Sequence, residues 1–397
     1  YWFWDPLENA SLMPWVASTA LIHSILVMEK TKKLFNWTAI LAILTFVLSL
    51  FGTFLVRSGI LNSVHAFAND PQRGLFILLI ISIITFIALV IYILKSSKQP
   101  GDNNGFVLFS REFSILINNY LLIFALTVII IGTTYPILLS VFLGESISVG
   151  PQYYNTILAP FVFVFLILMA MGPYMKWSNN SLYLFKNKFI GFLVLSLIAT
   201  VIFSLVLKKQ NFIFLLGVLC SLYLIISVLY EGFYFKNIKA RNLNFARLFA
   251  HAGFGLLILS ITLNHFFSKE FTTKINLGDS ASYQDFKIKF SNSSSKQEKN
   301  YQELFGEYEI QRNKETIVLN PSIRKYSQPP QFTSETSIKS DWLSDFYIAM
   351  DYSSDPSTGI GIRFYYNYCI RLIWAGFILI TIGGLLSFVQ RRNEKSI

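Results

Sequence analysis

Nine stretches of this chain are close to 20 residues long, strongly apolar and almost free of charge. They run roughly over 12–28, 38–56, 74–94, 113–142, 154–175, 189–207, 212–231, 246–266 and 366–388. About 20 apolar residues is the length a helix needs to cross the hydrocarbon core of a bilayer. Inside lipid every backbone N–H and C=O must be satisfied within the segment, so such runs fold as helices. The expected fold is therefore an all-α polytopic membrane protein with about nine transmembrane helices. With 14% charged residues and 53% hydrophobic ones, the chain lacks the polar surface a soluble fold of this length needs. The net charge of +11 does not indicate nucleic acid, because the basic residues are scattered over the segments between spans.

Their placement instead gives a topology. Alternate connections carry Lys30, Lys32 and Lys33; Lys95, Lys98 and Arg111; Lys176, Lys186 and Lys188; Lys236, Lys239, Arg241 and Arg247; and Arg391, Arg392 and Lys395. The opposite connections carry Arg57, Arg73, Lys208 and Lys209, so the division is sixteen against four. Positive residues concentrate on the cytoplasmic side. The first set therefore faces the cytoplasm, and the Lys208-Lys209 hairpin is a local dissent.

The sequence divides into an extracytoplasmic aromatic segment (1–11), an eight-helix membrane region (12–266), an extracytoplasmic β-rich domain (267–365), a last span (366–388) and a basic cytoplasmic tail (389–397). The β-rich reading rests on period-two stretches such as FKIKF and YEIQ, with a turn expected at RNKE. The chain begins at Tyr1, inside an aromatic run, and is expected to be a piece of a longer protein. Its two cysteines, Cys220 and Cys369, lack the spacing of a redox pair or a disulfide framework.

Ionisable residues inside a span are functional candidates by default. His23 lies about five residues before the cytoplasmic boundary at Met28-Glu29, and His251 lies four residues after Arg247. Both fall roughly 6–8 Å inside the same leaflet at 1.5 Å per residue. Two histidines at matched depth could clamp one haem iron, or each could simply bond a helix carbonyl. Ala250, Ala252, Gly253 and Gly255 leave room beside His251 for a flat macrocycle, and equally permit close helix packing. His65 lies in an outer loop with Phe67 close by, and Arg57 at the adjoining span end could reach a carboxylate. His265 at the outer end of its span reads as an interfacial residue.

The opening YWFWDPLENASLMPW concentrates aromatic surface at one spot. Asp5, Pro6 and Glu8 form a helix-start pattern of N-cap, N1 and N3. Pro14 fits the first turn of the span that follows, so a short outer helix leading into the first membrane helix is expected. Tyr1, Trp2, Phe3 and Trp4 cannot all face lipid, and some must line a concave apolar surface.

FWDPLENASLMPW followed by ALIHS resembles the tryptophan-rich motif of the CcmF/CycK/NrfE family of haem lyases in cytochrome c maturation. LVRSGILNSVHAFANDPQRG, GTTYPILL…GESISVGPQYYN, APFVFVFLILMAMGPYMKW, FAHAGFGLLILSI and LNPSIRKY…TSETSI resemble further blocks in the family order, so the likeness covers nearly the whole chain. The resemblance implies that His23 and His251 ligate a permanent haem b. It also implies that His65 is one of two ligands of a transient substrate haem, the other lying upstream of this chain. Trp2, Trp4, Asp5 and Trp15 would form the haem-presenting platform, and Arg57 would contact a propionate. The implied reaction is thioether attachment of haem to the CxxCH motif of an apocytochrome c. Implied partners are a haem chaperone of CcmE type, thiol-handling presenters of CcmH/CcmI type, and quinol as electron donor. The implied place is the bacterial inner membrane with the motif facing the periplasm, or the mitochondrial inner membrane. Two other classes fit the residues alone: a haem transporter, and a membrane cytochrome that only passes electrons.

Overall fold

The computed structural model describes residues 2–58, 70–96, 105–145, 147–180, 182–234, 241–312, 315–351 and 359–394. The helices are α1 (Pro6–Thr31), α2 (Phe35–Arg57), α3 (Pro71–Ser96), α4 (Arg111–Leu143), α5 (Pro151–Met171), α6 (Leu182–Leu207), α7 (Phe212–Tyr234), α8 (Arg241–Phe267) and α9 (Ile370–Glu394). Among the described residues, nine helices are long and apolar enough to cross a membrane. Among the described residues, ten strands lie between α8 and α9. They are β1 (Lys269–Ile275), β2 (Ser280–Tyr283), β3 (Phe286–Gln297), β4 (Tyr301–Arg312), β5 (Glu315–Leu319), β6 (Ser322–Ser327), β7 (Pro330–Glu335), β8 (Ser337–Ser340), β9 (Ser344–Asp351) and β10 (Ile360–Tyr368).

The first compact unit comprises Tyr1–Val206 and Leu222–Glu231. Here one expectation is corrected. The separate outer helix does not exist: α1 is continuous from Pro6 to Thr31, with Pro14 inside it. Pro14 removes one backbone donor, a loss that membrane helices tolerate when neighbours hold them. Met13, Val16 and Ala17, on either side of it, are buried against Leu48 of α2 and Leu126 and Ile129 of α4. Lower on the same helices, the Ser24 and Thr38 hydroxyls bond across α1 and α2 at 2.7 Å. The start of α4 is tied to the segment after α5: Arg111 donates to the Gly172 and Pro173 carbonyls, and the Glu112 carboxylate accepts the Ser178 N–H.

The second unit comprises Leu207–Ser221 and Gly232–Ile397. Its strands form two sheets, one in the order β1-β10-β9-β8 and one in the order β2-β3-β4-β6-β7, with β5 also paired to β4. The alternation read from FKIKF is realised in β3, where Phe286, Ile288 and Phe290 are buried and the two lysines are exposed. Arg312 stands opposite Glu315 across β4 and β5; the intervening 313–314 lie outside the described residues. The inner faces of the two sheets share one core containing Ile288, Tyr308, Ile310, Ile348, Ile362 and Phe364. Arg312 bridges the sheets: its guanidinium donates to Asp285 at 2.9 Å and to the Tyr366 hydroxyl at 2.8 Å, lying 4.5 Å over that ring.

Strand β1 leaves α8 directly and β10 runs directly into α9, and the two strands pair antiparallel from Lys269↔Tyr366 to Ile275↔Ile360. The sandwich thus grows out of one helical hairpin. Asn264 reinforces the junction by donating to the Tyr368 carbonyl at 2.7 Å. The hairpin itself closes through glycine. A Cβ on Gly253 would stand 2.7 Å from the Gly376 carbonyl oxygen, and one on Gly383 would stand 2.6 Å from the Ala246 oxygen and the Ala250 nitrogen. In the 207–221 segment, the Lys209 ammonium lies 5.6 Å from the Phe266 ring centre. That aromatic contact gives the dissenting Lys208-Lys209 hairpin a local partner on the same side as the sandwich.

Candidate functional site

The N-terminal motif is built on the first turn of α1. The Asp5 carboxylate caps the helix by accepting the Leu7 N–H at 2.9 Å. Glu8 completes a capping box, and its Oε2 also accepts the N–H groups of both Phe3 (2.8 Å) and Asp5 (3.1 Å). Between those two residues Trp4 adopts φ +60°, a left-handed conformation that non-glycine residues seldom take. The carboxylate therefore clamps the chain on both sides of a strained residue, and the helix N-terminus favours its charge.

That backbone turn delivers the Trp4 indole onto α5. Its ring stacks on Tyr154 with centroids 4.5 Å apart and planes 6° from parallel, and its Nε1–H donates to Asn155 Oδ1 at 3.1 Å. Tyr154 is fully buried. The Asn9 amide nitrogen, also fully buried, lies 3.1 Å from the Tyr154 hydroxyl, 3.1 Å from the Thr133 hydroxyl on α4 and 3.2 Å from the Trp4 carbonyl. Its two hydrogens serve those three acceptors. Trp2 stands edge-on to Trp4, 6.3 Å away and at 89°, and its buried Nε1 has no protein partner among the described residues.

The structure thus brings Trp2, Trp4 and Asp5 into one cluster. Trp15 lies three turns further along α1, 40% exposed, and none of these ring contacts includes it. Sequence reading had not singled out Glu8 as a clamp, nor Thr133, Tyr154 and Asn155. The last three sit in the GTTY and QYYN blocks, but nothing local in those blocks marks them as partners of Trp4.

The other candidates fall in different places. His23 is half-buried on α1, and its Nδ1 lies 2.8 Å from the Thr19 carbonyl oxygen. A carbonyl only accepts, so Nδ1 carries the ring proton and Nε2 keeps a lone pair, the form in which imidazole ligates iron. His251 is half-buried on α8, in the second unit. Ala250 and Gly253 beside it are occupied by packing on α9. Arg57 is the exposed last residue of α2, and His265 is exposed near the end of α8 with its ring edge-on to Phe266. Tyr1, His65 and Phe67 lie outside the described residues.

Comparison with known proteins places these features in a family. A profile of the cytochrome c assembly protein matches residues 1–62, and one of the CcmF C-terminal beta-sandwich matches residues 266–368. Over 99% of this chain, the cytochrome c-type biogenesis protein CycK of Bradyrhizobium diazoefficiens is 34% identical and CcmF of Pseudomonas aeruginosa 32% identical. NrfE of Haemophilus influenzae is 30% identical over the whole chain. The chain belongs to the CcmF/CycK/NrfE family. A solved structure named cytochrome c heme lyase CcmF shares the fold, with a TM-score of 0.73 over 98% of this chain and 60% of that one at 20% identity. The chain spans 61% of the length of the CycK and CcmF relatives.

Proposed function

We propose that this chain acts in cytochrome c biogenesis as a haem lyase, presenting haem to the CxxCH motif of an apocytochrome c. The observation that carries the reading is the pinned aromatic ledge: Trp4 fixed by Glu8, Tyr154 and Asn155, with Trp2 set perpendicular to it. A flexible aromatic tail would dissolve in the interface, whereas a fixed indole face can hold a planar substrate in one attitude. Attachment adds each cysteine S–H across a haem vinyl group, forming a C–S bond and placing the proton on the neighbouring carbon. Neither thiol belongs to this chain. Its work is orientation, which replaces the entropy a bimolecular encounter would lose.

In this reading Trp4 stacks against the substrate haem with Trp2 edge-on beside it, Trp15 extends the apolar surface, and His65 ligates its iron until the substrate histidine takes over. Arg57 would pair with a propionate, and Asp5 shapes the motif through its cap. His23 and His251 would hold a resident haem b, and the Nδ1–H bond to Thr19 suits His23 to that role. That haem supplies a one-electron couple when bound, with quinol as its donor, which would keep the substrate ferrous. A CcmE-type chaperone would deliver haem, and CcmH/CcmI-type proteins would present the apocytochrome. The motif and the sandwich would face the periplasm of a bacterial inner membrane.

The test is maturation of a reporter cytochrome c beside reduced-minus-oxidised spectra of the purified protein. Trp4→Ala and His65→Ala should abolish holocytochrome while leaving a b-type spectrum, and His23→Ala and His251→Ala should each remove that spectrum. Unchanged holocytochrome yield with Trp4→Ala would reject the lyase reading in favour of an electron-transfer cytochrome. Net haem flux into vesicles would favour a transporter.

A further inference from the structure

We infer that Gly132, Tyr154 and Asn155 are positioning residues that set the plane in which a haem can stack at the motif, acting through Trp4. The inference rests on the haem-handling reading above and deepens it.

Trp4 has little freedom left. One face of its indole is covered by Tyr154, its N–H is committed to Asn155, and Trp2 stands edge-on beside it. Because Tyr154 covers one face, a planar ligand that stacks on this half-buried ring has to use the opposite face. A ligand stacked there takes the direction of the indole plane, and that plane departs by only 6° from the Tyr154 ring. Tyr154 therefore defines the attitude of anything Trp4 holds.

Tyr154 is in turn defined by Gly132. A Cβ built on Gly132 would lie 2.7 Å from Cε1 of Tyr153 and 2.7 Å from both Cε1 and the hydroxyl oxygen of Tyr154. Contacts that short do not persist, so any side chain at 132 must displace the rings. Displacement is not free here, because Tyr154 is fully buried and its hydroxyl is engaged by Asn9. The absence of a side chain on α4 is thus transmitted through Tyr154 on α5 to the indole on the chain before α1. Asn155 sets the second coordinate, the in-plane rotation of the indole, by holding Nε1. A carboxylate in its place would keep an acceptor for that N–H at the same position.

The test compares Gly132→Ala, Asn155→Leu and Asn155→Asp with the parent protein. Fe-protoporphyrin IX is titrated into each, and the attached product is examined by mass spectrometry in the maturation assay. Losing one hydrogen bond's worth of pinning predicts roughly three- to tenfold weaker porphyrin binding for Gly132→Ala and Asn155→Leu. It also predicts a rise in singly attached haem among the product, because a tilted ring offers one vinyl and not the other. Asn155→Asp, which still accepts the indole N–H, should return both readouts toward the parent. Parent-like binding in Gly132→Ala and Asn155→Leu, or an Asn155→Asp no better than Asn155→Leu, would overturn the inference. Near-ultraviolet circular dichroism of the Trp4–Tyr154 pair separates a moved indole from a misfolded chain. Absence of thioether product with the parent protein would count against the lyase reading alone, and the binding comparison would still decide the positioning roles.

Discussion

Two adjacent glycines on α9 offer an internally controlled test of the α8–α9 hairpin. A Cβ on Gly383 would come within 2.6 Å of the Ala246 oxygen and the Ala250 nitrogen and 2.8 Å of the Ala250 Cβ. Two of those three atoms are backbone, which cannot rotate away. Restoring ordinary contact requires the helices to part by about 1 Å there, and dispersion contacts fall steeply over such a gap. Overpacking of this kind costs about 1–3 kcal/mol. Membrane helices associate mainly through close packing, so little else offsets the loss. Gly384 has nothing within 4 Å of its Cβ position. Gly384→Ala should be neutral or gain up to about 1 kcal/mol from helix propensity. The assay is thermal unfolding of the purified protein in detergent, together with protease sensitivity of the sandwich that this hairpin carries. Gly383→Ala should lower the transition by several degrees, at about 2–4 °C per kcal/mol, and speed cleavage, while Gly384→Ala should not. Equal behaviour of the two variants would refute the claim that glycine contact closes this hairpin.

Other expectations concern the sandwich and the motif. The Tyr308 hydroxyl is fully buried without a partner among the described residues, so Tyr308→Phe should stabilise the sandwich by about 1 kcal/mol, read by amide exchange. Burial also raises the Tyr308 pKa above its ordinary 10.0. The unfolded chain therefore releases that proton first, stability falls as pH rises above about 10, and Tyr308→Phe should reduce this alkaline loss. Arg312→Met removes the link between the sheets and should cost about 1–2 kcal/mol, with Arg312→Lys failing to restore it. Glu8→Ala frees the Phe3 and Asp5 N–H groups, so Trp4 should leave φ +60° and porphyrin binding should weaken about tenfold; parent-like binding would show that the clamp is dispensable.

The membrane helices were legible because lipid imposes a length and a composition that apolar runs report directly. Pro14 misled, since its effect depends on what packs around Met13 and Ala17 and not on the residue alone. Strand character showed in the alternation of Phe286, Ile288 and Phe290. The pairing of β1 with β10 did not, because partners about 90 residues apart leave no local trace. The same distance effect hid the ledge. Trp4 and Asp5 stood out by composition, whereas Tyr154 and Asn155 are ordinary residues until the fold sets them beside Trp4. At Ala250 and Gly253 the sequence left two uses open, and the contacts with Gly376 and Gly383 assign them to packing.

The position of β10 also governs how this protein is made. It is made after every other described strand of its sheet, yet it lies inside that sheet, between β1 and β9, and runs straight into α9. During synthesis β1 and β9 are therefore made before the strand that joins them, and the four-stranded sheet exists only as fragments until residues 360–368 follow. Those residues immediately precede α9, which is long and apolar enough to cross a membrane. The sandwich therefore cannot close until the chain has been made as far as α9, and until then its open strand edges are there for chaperones or proteases to find.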